Sequence, residues 1–106
     1  MPKIWRVEND TGEGCYQGID SDLLRENDTN GIKDYNDKEH PTPYRDKGIK
    51  REQYINEICG FKNLKQAKQW FTKSQYAWLT VYGFTLKRIQ VQKITAIGEY
   101  QILAIR

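Results

Sequence analysis

The sequence lacks the features of membrane, secreted and disulfide-rich proteins. It contains no run of about 18 apolar residues, and residues 1–7 are too short and too polar for the apolar region of a signal peptide. Cys15 and Cys59 are its only cysteines, too few for a disulfide scaffold or a cysteine-based zinc site. We therefore expect a protein of a reducing cytoplasm with no membrane partner, and a single Cys15–Cys59 bridge stays an open alternative.

Residues for metal and phosphate chemistry are also scarce. His40 is the only histidine, and the acidic residues between Asp20 and Asp28 do not follow the spacing of an EF-hand. Gly12 and Gly14 lack the Lys-Ser/Thr that completes a P-loop and the third glycine of a dinucleotide fingerprint. The residues themselves therefore predict no bound metal and no bound cofactor.

Aliphatic side chains are few for a folded domain. Leu, Ile, Val and Phe account for 23 of the 106 residues, just above the level of about 20% below which chains tend to stay unfolded. The 13 Trp, Tyr and Phe side chains are expected to supply buried area, because each large ring can bury roughly 150–250 Å². At this length we expect one domain spanning residues 1–106.

Charge is divided unevenly along the chain. Residues 1–53 hold 9 Lys and Arg against 12 Asp and Glu, whereas residues 54–106 hold 8 against 2, which gives net charges of −3 and +6. The basic half predicts a surface that attracts nucleic acid or an acidic protein, by an attraction that weakens with salt. The alternative is that the acidic N-terminal loops neutralise the basic half within one domain.

The chain begins with a strand pattern and a long loop. Lys3 to Glu8 forms a β-prone run that ends at the turn residues Asn9–Gly12. One short helical turn is expected near residues 20–24. Residues 27–48 are polar, dense in Asp, Asn, Gly and Pro, and show no periodicity. Because such loops are usually functional or disordered, we expect a site in this loop.

Helical spacing follows the loop. Residues 51–58 carry apolar residues at helical intervals, with Gly60 as a C-cap. Asn63 and Gln66 resemble a capping box and predict a short amphipathic helix that begins at Asn63. Its expected apolar face consists of Leu64, Ala67, Trp70 and Phe71.

A second short helix is expected to begin at Ser74 and to end at Gly83. Trp70, Phe71 and Trp78 are expected in the core, because a chain this poor in Leu and Val needs its large rings inside.

The C-terminal segment has a β pattern. Leu86 and Ile89 lie out of phase, so the strand either bulges at Lys87-Arg88 or exchanges faces there. Gly98-Glu99 separates two further strand patterns and suits a two-residue type II′ turn. This order predicts an α+β domain, in which an N-terminal strand and a C-terminal three-stranded antiparallel meander pack on two or three short helices.

Two regions are candidate contact surfaces for a partner. One is the polar loop, where Pro41 and Pro43 stiffen the backbone around His40. The other is the aromatic and basic face of the predicted helices, for which the alternative is an ordinary solvated surface. The candidate partner-binding residues are His40, Tyr44, Arg45, Lys65, Lys68 and Tyr76.

Several short motifs carry a resemblance to known proteins. They are Ile4–Asn9, Gly12–Tyr16, His40–Pro43, Cys59–Phe61, Trp70–Phe71, Gly83–Phe84 and Gly98–Ile102. As a set they resemble small accessory proteins of bacteriophages and prophages, over nearly the whole chain. With the segregated charge and the polar loop, this predicts a protein of the host bacterial cytoplasm that inhibits or modulates a host macromolecule by steric or electrostatic blocking. The expected partner is a host protein or protein–nucleic acid complex, such as a defence component, and a nucleic-acid-binding module is an alternative.

The layout also resembles, more distantly, a reduced ADP-ribosyltransferase fold. This resemblance implies NAD as a cofactor, held by Arg6 and Tyr44, with catalytic candidates Glu99, Gln101 and His40. In such transferases a Glu or Gln stands two residues before the catalytic Glu, whereas here Gln101 follows Glu99. A minimal NAD-using enzyme is therefore the second functional hypothesis.

Overall fold

The structure is a computed structural model that describes residues 1–14 and 41–106. The predicted helical turn near residues 20–24, His40, Cys15 and most of the 27–48 loop lie outside the described residues. The elements are β1 (Lys3–Glu8), β2 (Glu57–Gly60), α1 (Leu64–Trp70), α2 (Lys73–Val81), β3 (Thr85–Gln90), β4 (Lys93–Ile97) and β5 (Ile102–Ile105). The predicted α+β class and the N-terminal strand are confirmed.

The strands form a two-stranded and a three-stranded antiparallel sheet. β1 pairs with β3 along its whole length, from Lys3 opposite Gln90 to Glu8 opposite Thr85. β5 lies between β2 and β4 in the other sheet. The C-terminal strands are therefore divided differently from the predicted meander, because β3 pairs with the N-terminal strand while β4 and β5 form a hairpin.

Two seams join these sheets. Only Val91 and Gln92 separate β3 from β4. The Val91 N–H donates to Pro2 O at 3.0 Å in the first sheet, and the Gln92 N–H donates to Ile105 O at 2.7 Å in the second. At the other seam, Trp5 and Phe61 exchange N–H to oxygen hydrogen bonds of 2.8 and 2.7 Å. The strands thus follow a closed circuit, β1–β3–β4–β5–β2 and back to β1.

Gly60 permits the second seam. A Cβ atom at this position would lie 2.6 Å from Trp5 O and 2.8 Å from Ile4 Cδ1. Any side chain here would push β1 away from the end of β2.

Apolar side chains form two clusters on opposite sides of β1 and β3. The inner cluster lies within the circuit and consists of buried Ile4, Val91, Ile102 and Ala104 with partly buried Ile58, Ile89 and Ile94. The helix cluster lies between the first sheet and the helices and consists of Val7, Phe61, Ala67, Trp70, Phe71, Leu79 and Phe84. Large rings make up much of the helix cluster, as expected for a chain with few aliphatic residues.

The two clusters explain the change of phase in β3. Leu86 packs against the helix cluster and Ile89 against the inner cluster. Because the pairing with β1 has no register shift, β3 exchanges faces at Lys87-Arg88 and does not bulge there. The irregularity in register lies in β4, between Ile94 and Ala96.

The caps are partly as predicted. The Asn63 side chain accepts from Gln66 N at 2.9 Å and caps α1. The cap of α2 is Thr72 rather than Ser74, because Thr72 and Gln75 form a reciprocal capping box. Trp70 and Phe71 are buried as expected, whereas Trp78 is half-buried and belongs to neither cluster.

The predicted helix over residues 51–58 is wrong. Residues 57–60 form β2, and Tyr54 and Ile55 are exposed. Tyr54 and Ile55 therefore have no core to face, whereas Ile58 packs against the inner cluster from within β2. The local structure is set instead by Glu57, whose carboxylate accepts from Tyr54 N at 2.8 Å and from both terminal nitrogens of Arg51 at 2.8 Å.

Glu57 also connects β2 to β4, since Thr95 donates its hydroxyl hydrogen to the same carboxylate. The hydrogen bonds from Arg51 are the main reason that the pKa of this buried group falls from 4.5 to about 2, against the opposing effect of burial. The ionised carboxylate of Glu57 is therefore more stable in the folded chain than in the unfolded chain.

This gives a prediction for acid stability. Because the folded pKa is depressed, the stabilisation from Glu57 is fully present above pH 4.5 and is lost as the pH falls towards about 2. In urea titrations between about pH 7 and pH 3, we expect the wild type to lose about 1–2 kcal/mol more of its free energy of unfolding than Glu57→Gln does. Glu52→Gln, an exposed control, should retain the wild-type pH dependence. Equal pH dependence of Glu57→Gln and the wild type would contradict this assignment.

Candidate functional site

The tip of the β4–β5 hairpin organises the main cluster of predicted contact residues. Gly98 donates its N–H to Gln101 O at 2.8 Å, which places Glu99 and Tyr100 at the tip. The predicted type II′ turn at Gly98-Glu99 is wrong, since Gly98 does not adopt a positive φ. A glycine is required there for space, because a Cβ atom would overlap the carboxylate of Asp46.

Asp46 holds the tip from one side. Its side chain is fully buried, and its two oxygens accept from Glu99 N at 2.5 Å and from Tyr100 N at 3.0 Å. Gly48 N adds a longer contact of 3.3 Å. Burying a carboxylate is costly unless it is hydrogen-bonded, and here the backbone N–H groups of the hairpin meet that requirement.

Gln66 holds the tip from the other side. Its amide nitrogen lies 3.4 Å from Gly98 O and 3.1 Å from Glu99 O, and its amide oxygen accepts from Lys62 N at 3.0 Å. One buried side chain therefore fixes the start of α1 to the hairpin. The sequence pattern indicated only a capping role for Gln66.

The segment before Asp46 is an exposed turn with two anchors. Gln101 donates its amide to Pro41 O at 2.6 Å, and Asp46 provides the second anchor at the tip. Between the anchors, Arg45 N donates to Thr42 O at 2.9 Å and closes the turn. Tyr44 is 64% exposed and Arg45 is also exposed. The structure thus displays these two predicted contact residues on a fixed backbone.

A polar groove lies on the α1 side of the tip. It has a volume of about 270 Å³, and Lys62, Lys65, Gln69 and Glu99 are among the residues that line it. Lys68 is exposed one turn of helix away from Lys65. We call the turn Thr42–Arg45, the residue Glu99 and this groove the tip surface.

The tip surface belongs to a strongly basic part of the chain. Residues 58–98 contain seven Lys or Arg and no Asp or Glu. Arg45 and Lys47 add two exposed cations beside the tip. Glu99 is the carboxylate that lines the groove, so the described residues of the tip surface carry a net positive charge.

Tyr76 lies apart from the tip surface. Its hydroxyl donates to Ala67 O at 2.6 Å, and its ring stands edge-on to Phe71 with centroids 5.3 Å apart. These contacts join α2 to α1. Tyr76 thus has a packing role in the fold, and its predicted part in partner binding stays a prediction.

The residues implied by the transferase resemblance are divided between sites. Arg6 and Gln101 line one cavity of about 50 Å³, which has room for a few water molecules. Arg6 also lines an open groove of about 530 Å³ beside Tyr54 and Cys59. Glu99 is not among the described residues that line this cavity or this groove. The structure therefore places Arg6 and Gln101 at one cavity and Glu99 at the polar groove, and NAD binding stays a prediction.

Arg6 takes part in an ion cluster that links distant parts of the chain. It donates to Glu8 at 3.1 Å and to Cys59 O at 2.8 Å, and Arg106 binds Glu8 through both terminal nitrogens at 2.7 and 2.8 Å. Burial opposes ionisation of Glu8, but the hydrogen bonds and charges of Arg106 and Arg6 together outweigh it and lower the pKa of this group. The cluster ties β1 to β2 and to Arg106.

Cys59 is a free thiol. It donates to Gln53 Oε1 at 3.2 Å, and burial raises its pKa. The thiol form is therefore favoured at neutral pH.

Within residues 1–14 and 41–106, no group of three or more His, Cys, Asp or Glu is placed to hold a metal ion. Over the same residues, neither the length nor the hydropathy of any helix reaches that of a membrane span.

The chain was compared with family models, curated proteins and solved structures. The family model described as Bacteriophage T4 Y00F protein matches residues 1–105 of the chain. Neither the curated proteins nor the solved structures include a match.

Asp46 provides a direct test of the anchored tip. Removing its carboxylate in Asp46→Ala leaves two partly buried hairpin N–H groups without this acceptor, so we expect a loss of about 1–3 kcal/mol in the free energy of unfolding. The amide hydrogens of Glu99 and Tyr100 should exchange with solvent much faster. Lys47→Ala, an exposed neighbour, should stay within about 0.5 kcal/mol of the wild type. Unchanged exchange at the two amides would show that Asp46 does not hold the tip.

Proposed function

Because the chain belongs to the bacteriophage T4 Y00F protein family, we propose that it is a phage accessory protein that binds a host macromolecule and inhibits or modulates it in the bacterial cytoplasm. The partner is a host protein or protein–nucleic acid complex, such as a component of a defence system. The observation that supports this most strongly is the tip surface, where exposed aromatic and cationic side chains stand on an anchored backbone.

Anchoring favours binding for an energetic reason. Ordering a flexible loop on association costs free energy, and a loop already held in place avoids most of that cost. The turn Thr42–Arg45 is fixed by Gln101 at Pro41 and by the hairpin at Asp46. Tyr and Arg are also among the residue types that contribute most to binding energy at protein interfaces. Tyr44 and Arg45 therefore act as the central contacts.

The positive charge of the tip surface indicates that it binds a negatively charged region of its target. Lys62, Lys65 and Arg45 attract an acidic region and speed its association at low salt. A domain of this size, bound over such a region, blocks access to it. Inhibition on this proposal is steric and electrostatic.

Affinity capture tests the proposal. The wild-type chain should retain a specific host component from bacterial lysate at physiological salt. A Tyr44→Ala/Arg45→Ala double variant should retain at least about tenfold less, because each residue is a candidate hot spot. Both side chains are exposed, so the variant should keep the wild-type unfolding curve.

Tyr54→Ala serves as a matched control, since Tyr54 is 61% exposed but lies outside the tip surface. It should capture the component as well as the wild type does. The proposal fails if no component is retained from any host lysate, or if the double variant retains the same component undiminished.

A further inference from the structure

We infer that the tip surface binds single-stranded nucleic acid, with Tyr44 stacking on a base and Lys62, Lys65 and Arg45 contacting phosphates. This inference rests on the proposed function, because it names the chemistry that the same surface recognises in its partner.

The charge pattern is the first support. Lys62, Lys65 and Arg45 are exposed cations of the tip surface, and Glu99 is the carboxylate described beside them. Lys62 and Lys65 line the same groove. Two lysines in one groove can each contact a phosphate of the same strand. Such contacts are the main source of affinity for nucleic acid.

The exposed ring is the second support. Tyr44 is 64% exposed and stands on the turn that Arg45 N and Asp46 N close by hydrogen bonds to Thr42 O. Tyr44 is two positions before Asp46, so the Cα atoms of these two residues lie within about 7 Å of each other. Asp46 is the residue whose carboxylate binds the hairpin tip. Asp46 binds the backbone N–H of Glu99, and Glu99 lines the groove, so the turn that carries Tyr44 is joined to one wall of the groove. An exposed aromatic side chain near basic residues is the combination that stacks unpaired bases while holding the backbone.

The groove also offers neutral hydrogen-bonding groups. Asn63 and Gln69 line it together with the two lysines. Amide side chains can both donate and accept, which suits sugar hydroxyls and base edges. An acidic protein would use the lysines and could pack against the ring, whereas a single strand uses the lysines, the amide groups and the flat face of the ring together. These features together favour a single strand over an acidic protein.

Glu99 is a distinguishing residue. It lines the groove beside Lys62 and Lys65, so its charge opposes a polyanion. Glu99→Gln should therefore tighten binding of nucleic acid by roughly two- to fivefold at low salt. If Glu99 instead served a group-transfer reaction, the same substitution would reduce function.

The experiment is fluorescence anisotropy with the full chain and labelled oligonucleotides of about 20 nucleotides. An oligo-dT, an oligo-U and a duplex of the same length should be compared from about 50 to about 200 mM salt. We expect both single strands to bind better than the duplex. Tyr44→Ala should weaken single-strand binding by roughly five- to a hundredfold at every salt concentration.

The lysines should act differently from the ring. Lys62→Gln/Lys65→Gln should reduce the dependence of log affinity on log salt by about 0.7 for each phosphate that the variant no longer neutralises. Lys3→Gln/Lys93→Gln removes the same charge at exposed positions at the start of β1 and of β4. This control should keep the wild-type slope and nearly the wild-type affinity.

Four outcomes would overturn the inference. They are no binding at low salt, equal binding of duplex and single strand, no effect of Tyr44→Ala, or equal effects of the two lysine pairs. If oligonucleotides fail to bind but host lysate yields a nuclease-resistant protein partner that depends on Tyr44 and Arg45, the inference fails and the proposed function stands. If oligonucleotides bind as expected but no host component is captured, the proposed function fails.

Discussion

The carboxylate of Asp46 is the group on which the candidate site depends. It is buried, and it is accommodated because the hairpin tip turns two backbone N–H groups towards it. These hydrogen bonds hold the segment 41–46 against the hairpin tip. The same carboxylate also forces residue 98 to lack a side chain. The exposed turn, the tip and the groove on α1 are positioned together as a result.

The chain has few aliphatic residues, and its buried apolar side chains form two clusters instead of one core. The inner cluster is small and aliphatic, and each strand of the circuit contributes to it. The helix cluster relies on rings, such as Phe61 and Trp70 with centroids 5.8 Å apart. β1 serves both, since Ile4 faces one cluster and Val7 the other. Ion pairs reinforce the strand ends, where Glu8 and Glu57 each receive two terminal nitrogens of an arginine.

Local signals in the sequence predicted local structure well. The cap at Asn63 was readable because it depends on residues three positions apart. β1 and the strand character after Phe84 were also readable, since their patterns extend over several residues. The spacing at residues 51–58 misled because periodicity cannot tell whether a core lies alongside, and exposed Ile55 has none. For the same reason the sequence did not distinguish half-buried Trp78 from buried Trp70.

The candidate site was only partly readable. Tyr44, Arg45 and Lys65 were identified by residue type, and the structure shows all three to be exposed. Asp46 was missed, because an aspartate two residues before a glycine is an ordinary turn signal. Nothing local indicates that it reaches a hairpin 53 residues away. Gln66 was seen as a cap, but its contacts with Gly98 and Glu99 are 32 and 33 residues distant.

The seam between Trp5 and Phe61 has a mechanical consequence. β1 and β3 share a full ladder, whereas β1 and β2 meet at Trp5 and Phe61 through two hydrogen bonds. Breaking two hydrogen bonds therefore frees β1 from the end of β2, whereas separating β1 from β3 requires breaking a ladder of six residue pairs. Ile4 adjoins this contact and lies against Gly60, so opening the contact would expose its side chain to solvent. The backbone contact between Trp5 and Phe61 is therefore where β1 can leave the second sheet at the lowest cost in hydrogen bonds.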